Sequence, residues 1–437
     1  MAAINSQMRI PVIILLMVLS ASSHAEFSGR LKGEEEVFLQ HQTSPVPQAE
    51  TSLQIELEEH QVFWDSWKIK AEPRVRLSSA PRMTDSPIDG DLRDTLIEKK
   101  FSSYLHVQAG SFIKAWEGTD GLNPMDIASV RNYRDPVSAD SIGSVGVALG
   151  GSFSEHFTWD ALYVPWQTPT RLPGSNSPWW PRQTSLPLEA NNAQLLLPTG
   201  GPQINVDHHE TLNRALNDNI GGRAQFHGGS WDISAAMFEG AAQIPIFQPI
   251  INGDLIATVP KQIIRMSNPV EIRPIEYRRR TYAGSMVNNQ QSWIFRLAGR
   301  YDQPIGNTPL LPGWSDQVVA GVEKTFNIHS QTVVLVTEFA YEDQAAASET
   351  ILSSQDPFRR AILMGVRLPY SDDLLFYASG LMDVQKSSSI ARINVQKKFG
   401  GHWSVEGTGE WIRGNDDSLL GLWKNQSRVI AGGTFQF

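Results

Sequence analysis

Residues 427–437, SRVIAGGTFQF, decide the fold. Val429, Ala431, Gly433, Phe435 and Phe437 fall on one parity, while Arg428, Thr434 and Gln436 fall on the other, which is the alternation of a two-faced β-strand. The run before it repeats the pattern, with Val405, Gly407, Gly409 and Trp411 set against Glu406, Thr408 and Glu410. A charged second face is wrong for a dry soluble core. It suits a wall that has lipid on one side and a wet lumen on the other.

Upstream, alternating runs are separated by short polar turns near Asp65-Ser66, Ser102-Ser103, Ser154-Glu155-His156, Gly228-Gly229-Ser230, Asn288 to Ser292, Asn327 to Ser330, Ser371 to Asp373 and Gly400-Gly401. Eight tight turns join sixteen strands, and a first and a last strand make eighteen, so the expected fold is an all-β transmembrane antiparallel barrel. An even count leaves both termini in the periplasm. The faintest punctuation lies around Ser102-Ser103 and in the run Tyr277 to Val287, where Arg278, Arg279 and Arg280 are consecutive. Without those strands the count is sixteen.

The amino terminus pairs Arg9 with an apolar run, Ile10 to Leu19, and small residues Ser23 and Ala25, the pattern of a signal peptide cleaved after Ala25. Residues 26–437 are then one barrel domain. No later segment reaches the ~18 uncharged apolar residues that a membrane helix needs. The absence of cysteine removes disulfide and thiolate chemistry, and a net charge of −9 without a basic block excludes a nucleic-acid partner. The 13 Trp fit interfacial girdles.

The terminal strand ending in Phe437 resembles the insertion signal of Gram-negative outer-membrane β-barrels. That resemblance implies outer-membrane lipid around the wall and recognition of this strand by the barrel assembly machinery. A second resemblance lies between Gly110 and Asp135. Trp116, Gly118, Asn123, Pro124 and Asp126 are similar to a Trp-Gly strand and Asn-Pro-x-Asp loop of uncharacterised porin-like families, whose architecture alginate-export channels share. Ser111 and Phe112 stand where those families carry Arg-Gln, and Glu117 separates Trp116 from Gly118.

Alternation points Arg74, Arg76, Arg223, Arg296, Arg300, Arg359, Arg367, Arg392 and Arg428 into the lumen, with Glu56, Glu58, Glu338, Glu406 and Glu410. Two arrangements follow. Glu56, Glu58, Glu406 and Glu410 gather on one wall when the first strands meet the last, and face arginines on the other; or the charges pair across neighbouring strands. The longest connection, Gln167 to Asp218, holds Trp179-Trp180 among prolines and is expected to fold over or into the mouth, with a short helix over Glu210 to Leu216. Connections Ile244 to Ile272 and Gly118 to Ala139 come next in length. Asp120 and Asp126 fit turn and ion-pair roles better than a cation site, and the adjacent His208-His209-Glu210 lacks the spacing of a zinc site. No metal or cofactor is expected. His106, His227 and His329 lie near tight turns, the wrong end for a surface hydrolase, and there is no Gly-x-Ser-x-Gly elbow. The expected function is a channel for polar solutes. An export or assembly component is the first alternative, and a barrel enzyme the second.

Overall fold

The structure is a computed structural model that describes residues 26–40, 47–63, 67–79, 88–174, 177–180, 185–188, 193–196, 203–204, 210–250, 253–259, 262–266, 271–306, 311, 313–328, 331–345, 359–415, 418 and 420–437. The signal-peptide reading of residues 1–25, His208-His209 and the turn residues His329-Ser330 lie outside the described residues.

Twenty hydrogen-bonded segments form one sheet. Trp67–Ala71 and Pro73–Ser78 are two halves of one strand, interrupted where Pro73 offers no ladder donor. Ile88–Leu92 and Thr95–Lys100 are likewise one strand. Merging the halves leaves the eighteen antiparallel strands of a closed barrel. In chain order they are β1 (Glu26–Phe38), β2 (Ala49–Phe63), β3 and β4 (the two split strands), β5 (His106–Phe112), β6 (Ser144–Ser154), β7 (Phe157–Trp166), β8 (Asn217–Gly228) and β9 (Trp231–Ala241). The second half comprises β10 (Arg278–Gln290), β11 (Trp293–Ile305), β12 (Ser315–Ile328), β13 (Gln331–Gln344), β14 (Arg360–Ser371), β15 (Leu374–Asp383), β16 (Ser388–Phe399), β17 (Trp403–Arg413) and β18 (Arg428–Gln436).

β1 closes the cylinder by pairing with β18 from Arg30↔Gln436 to Phe38↔Arg428, so no strand edge is left unpaired. Beyond the ladder, Gly29 and Phe437 exchange both backbone hydrogen bonds at 3.0 Å. The six tight turns that lie wholly among the described residues fall where the polar punctuation places them, while Asp65-Ser66, like His329-Ser330, lies outside those residues. At two of them Gly229 and Gly400 adopt φ of 61° and 60°, the left-handed conformation that a short hairpin requires. The turn near Ser102-Ser103 is held by Leu105 O, which accepts from the amides of Phe101 and Ser102 at 3.0 and 3.1 Å.

Register fixes the two faces. Along β17, Thr408, Glu410 and Ile412 are buried inside, while Trp403, Val405 and Trp411 are exposed on the outer surface. Around the cylinder the outer surface carries Leu53, Ile55, Val75, Leu77, Phe295, Leu297, Val318, Phe339, Val366 and Ile393, a band that only lipid can desolvate. At the tight-turn rim Lys324 stands 4.3 Å from the Trp293 ring and Lys99 4.8 Å from that of Trp67. The three consecutive arginines resolve cleanly: Arg279 turns inward to Asp302 at 3.0 Å, while Arg278 and Arg280 turn outward onto Glu239.

At the opposite end the long connections pair with one another. Ser185–Leu188, Ala193–Leu196, Gln262–Met266 and Gly253–Ala257 make one small sheet, and Glu271–Glu276 pairs with Ile246–Ile250 and with Glu210–Thr211. The helix expected over Glu210 to Leu216 is only a single 3-10 turn, Leu212–Arg214. Thr211 gives it no side-chain cap, and the preceding residues are taken up by strand pairing.

Candidate functional site

The inner wall is divided into sectors by residue size. From β6 to β11 it presents Gly146, Ala148, Leu162, Val164, Gly221, Ala236, Phe238, Ala283 and Ala298, small or apolar side chains that leave room for something to lie on them. What lies there is the connection 113–143 between β5 and β6. Trp116, Met125 and Ile127, each at most 1% exposed, pack with Phe112, Ala148, Leu162, Val164, Ala236, Phe238, Ala283 and Ala298 into one apolar cluster in the lumen. Gly118 is required by closeness, since a Cβ there would come within 2.7 Å of Met125 Cγ and 3.1 Å of Ser285 Cβ.

The motif Trp116, Gly118, Asn123, Pro124 and Asp126 is therefore the folding code of this strap. Trp116 Nε1 donates to Asp160 Oδ1 at 2.9 Å, and the Arg223 guanidinium lies 5.8 Å from the indole centre. Asn123 closes the turn, its Nδ2 donating to Trp116 O at 2.8 Å and its Oδ1 accepting from the Met125 amide at 3.1 Å. Pro124 is buried beside it. Asp126 pairs with Arg131.

The strap's tip reaches β11 to β14, on the far side of the barrel from its root at β5. The Glu338 carboxylate, 1% exposed, accepts the amides of Asp120 at 2.7 Å, Gly121 at 3.0 Å and Leu122 at 3.1 Å. Arg296 bridges Asp120 at 3.2 Å and Glu323 at 3.1 Å. Leu122 packs on Val319, Ala340 and Ala361. The return leg is fastened near the seam. Arg134 pairs with Asp89, Asp140 with Arg74, and Asp135 Oδ2 lies 2.7 Å from Arg428 Nη2. Burial lowers the Arg134 pKa from its ordinary value, with Asp89 acting the other way.

Arg428 is the hub of that side. It is fully buried, donates to Glu410 at 2.6 Å and Glu36 at 2.9 Å, and lies 4.7 Å from the Trp179 ring centre. Trp179 sits with Phe38, Ile412, Leu420 and Trp423, and the Trp423 indole donates to Trp179 O at 2.9 Å, so this point of the 167–218 connection packs against β1 and β17. The shorter 113–143 connection reaches from its root at β5 to Glu338 on β13.

Most of the remaining lumen-facing charges are locally paired. Glu56 pairs with Arg30 and accepts from Gln54 at 2.6 Å; Glu406 pairs with Lys32 at 2.7 Å; Arg392 is 3.5 Å from Glu410. Arg223 donates to Asp160 at 2.9 Å, Arg300 lies 2.9 Å from Asp302, and Arg74 pairs with Asp91 as well as Asp140. Arg76 donates to Ser52 at 2.9 Å and lies 3.7 Å from Glu36. Arg359 precedes β14 and its carbonyl accepts from the Glu342 amide at 2.7 Å. Glu58 and Arg367 are exposed near the tight-turn end. Of the two arrangements open to the sequence, the structure holds pairing across neighbouring strands, and the pairs leave a mixed-charge surface. Opposite the strap, Lys32, Glu34, Gln54, Glu56, Arg392, Asn394 and Glu406 make a polar sector from β16 to β2. Sequence reasoning missed the clasp on the strap's tip, whose one legible sign was the Asp120-Gly121 turn.

No family model matches this sequence, and no curated protein matches it. In shape the chain is similar to OccAB3 of Acinetobacter baumannii, with a TM-score of 0.55, 7% identity, and 95% of this chain and 100% of that one covered. It is similar to a BenF-like porin from Pseudomonas fluorescens Pf-5 (TM-score 0.54, 7% identity, 95% and 98% covered). It is also similar to OccK9 (OpdG) of Pseudomonas aeruginosa (0.53, 9%, 94% and 97%). At these identities the likeness is one of fold: a porin-type barrel.

Proposed function

We propose that the protein is an outer-membrane channel for small polar solutes, which pass between the strap and the polar sector of β16 to β2. One observation carries the reading. The barrel is greasy outside and ionic inside, and the connection that crosses its lumen packs on an apolar sector and leaves the polar one facing it. Paired charges suit passage of solutes of either sign, since each ion pair offers a donor and an acceptor without a deep well for one charge. The tight turns face the periplasm and the long connections the exterior, and the strand ending in Phe437 is the element that the assembly machinery reads.

Reconstitution in planar bilayers tests the reading. Discrete conductance steps are expected in dilute salt. Silence from protein shown to be folded would count against an open pore, and passage that begins only when a periplasmic partner is added would favour the export alternative.

A further inference from the structure

We propose that Glu338 is the positioning residue that sets the channel's aperture, through its grip on the tip of the strap. The proposal rests on the channel reading and adds to it the side chain on which the width depends. Both carboxylate oxygens are engaged: Oε1 takes the Asp120 amide, and Oε2 takes those of Gly121 and Leu122. Among the described residues no Lys or Arg nitrogen lies within 4.0 Å of Glu338, so its charge is answered by three successive main-chain dipoles. If the tip leaves the wall, a buried carboxylate loses those donors together. Tip position and carboxylate solvation are thus a single equilibrium.

The approach is also close. A Cβ on Gly121 would come 2.2 Å from Leu363 Cδ1 and 3.1 Å from Glu338 Oε2, so a side chain at position 121 displaces the ends of Leu363 and of Glu338 itself. Arg296 is a second clasp on the same tip, holding Asp120 from the side. The rest of the strap is secured elsewhere, by Trp116 in the apolar cluster and by Asp135 and Asp140 on the return leg. Loss of the Glu338 clasp therefore leaves the tip to Arg296 and Leu122, so residues 117–122 loosen from the wall while the barrel and the strap's root stay folded.

The chain has no cysteine, so paired labels can be placed without background. Spin labels on Glu117→Cys, exposed on the strap, and Ser379→Cys, inward on β15, report the distance across the passage in the full-length protein. In Glu338→Ala that distance distribution should shift and broaden, and single-channel conductance should depart from the unsubstituted value. Glu338→Gln, which keeps the size but turns one acceptor into a donor facing an N–H, should move both in the same direction. Gly121→Ala attacks the contact from the strap's side and replaces Glu338→Ala if that variant does not fold. Unchanged label distances in folded variants overturn the clasp whatever the conductance. Shifted distances in a protein that conducts in neither form uphold the clasp and sink the channel reading instead.

Discussion

The closing seam should fail when Arg428 is shortened to alanine. Its guanidinium serves three carboxylates that are themselves 0%, 5% and 12% exposed, those of Glu410, Glu36 and Asp135. Removing one partner of a buried ion pair costs about 3–5 kcal/mol, because the charge left behind has no solvent to turn to. The lost contact with the Trp179 ring adds ~2 kcal/mol. The stranded acids therefore dominate. Barrels of this kind are best compared by unfolding rate, since the unfolded chain does not return cleanly. If these contacts are absent at the barrier, a loss of about 3 kcal/mol accelerates unfolding roughly a hundredfold. The assay is loss of the compact, heat-modifiable band in detergent at fixed temperature, followed over time. Adding Glu410→Gln to Arg428→Met should recover part of the loss, because one abandoned charge disappears. If Arg428→Ala unfolds at the rate of the unsubstituted protein, the seam is not held by this cation and the reasoning fails.

Trp116→Ala should empty the centre of the strap's cluster at a local cost of about 3–5 kcal/mol, seen as faster protease cleavage within 113–143 while the barrel stays intact; unaltered cleavage would deny the cluster its role. Gly29→Ala puts a Cβ 2.6 Å from the Phe437 ring and should lower the yield of folded barrel, whereas Gly33→Ala, with nothing within 4 Å, should not; equal yields would show that the terminal ring does not depend on that gap. At the loop end, burial pushes the Glu276 carboxyl up to about 7. Between the unfolded value near 4.3 and about 7 the folded chain keeps a proton that the unfolded chain has lost. Local stability is thus full below that window and declines as pH rises through it. Proteolysis of 242–277 should quicken from pH 5 to pH 8, and Glu276→Gln should flatten the profile; an equally steep profile in that variant would assign the dependence to another group.

The barrel was legible because alternation has a period of two and the tight turns are polar and short. Even the faint pair of strands around Ser102-Ser103 exists, since the outward positions Ile97 and Leu105 flank a turn closed by backbone hydrogen bonds to Leu105 O and by the Ser102 hydroxyl, which accepts the Tyr104 amide. The register of Arg278 to Arg280 could not be read from three identical residues; it became definite only when Glu239 and Asp302 appeared on opposite faces of the neighbouring strands. The site was legible residue by residue but not in its connections. Glu338 and Arg296 could be placed on the inner face by parity, yet their partners are main-chain amides and an aspartate some two hundred residues away, and no periodicity encodes such contacts. Trp116, Asn123 and Asp126 stood out as a compact motif, but its role as the fold of a lumen-crossing strap depended on the small residues of six other strands.

That the clasp grips backbone and not side chains has a bearing on how such a pore can diversify. Asp120 is 44% exposed in its side chain, and the hydrogen bond it gives Glu338 comes from its amide, which any residue except proline would supply. Lineages could therefore exchange the side chain displayed at position 120 and keep the Glu338 mooring, losing only the ion pair with Arg296.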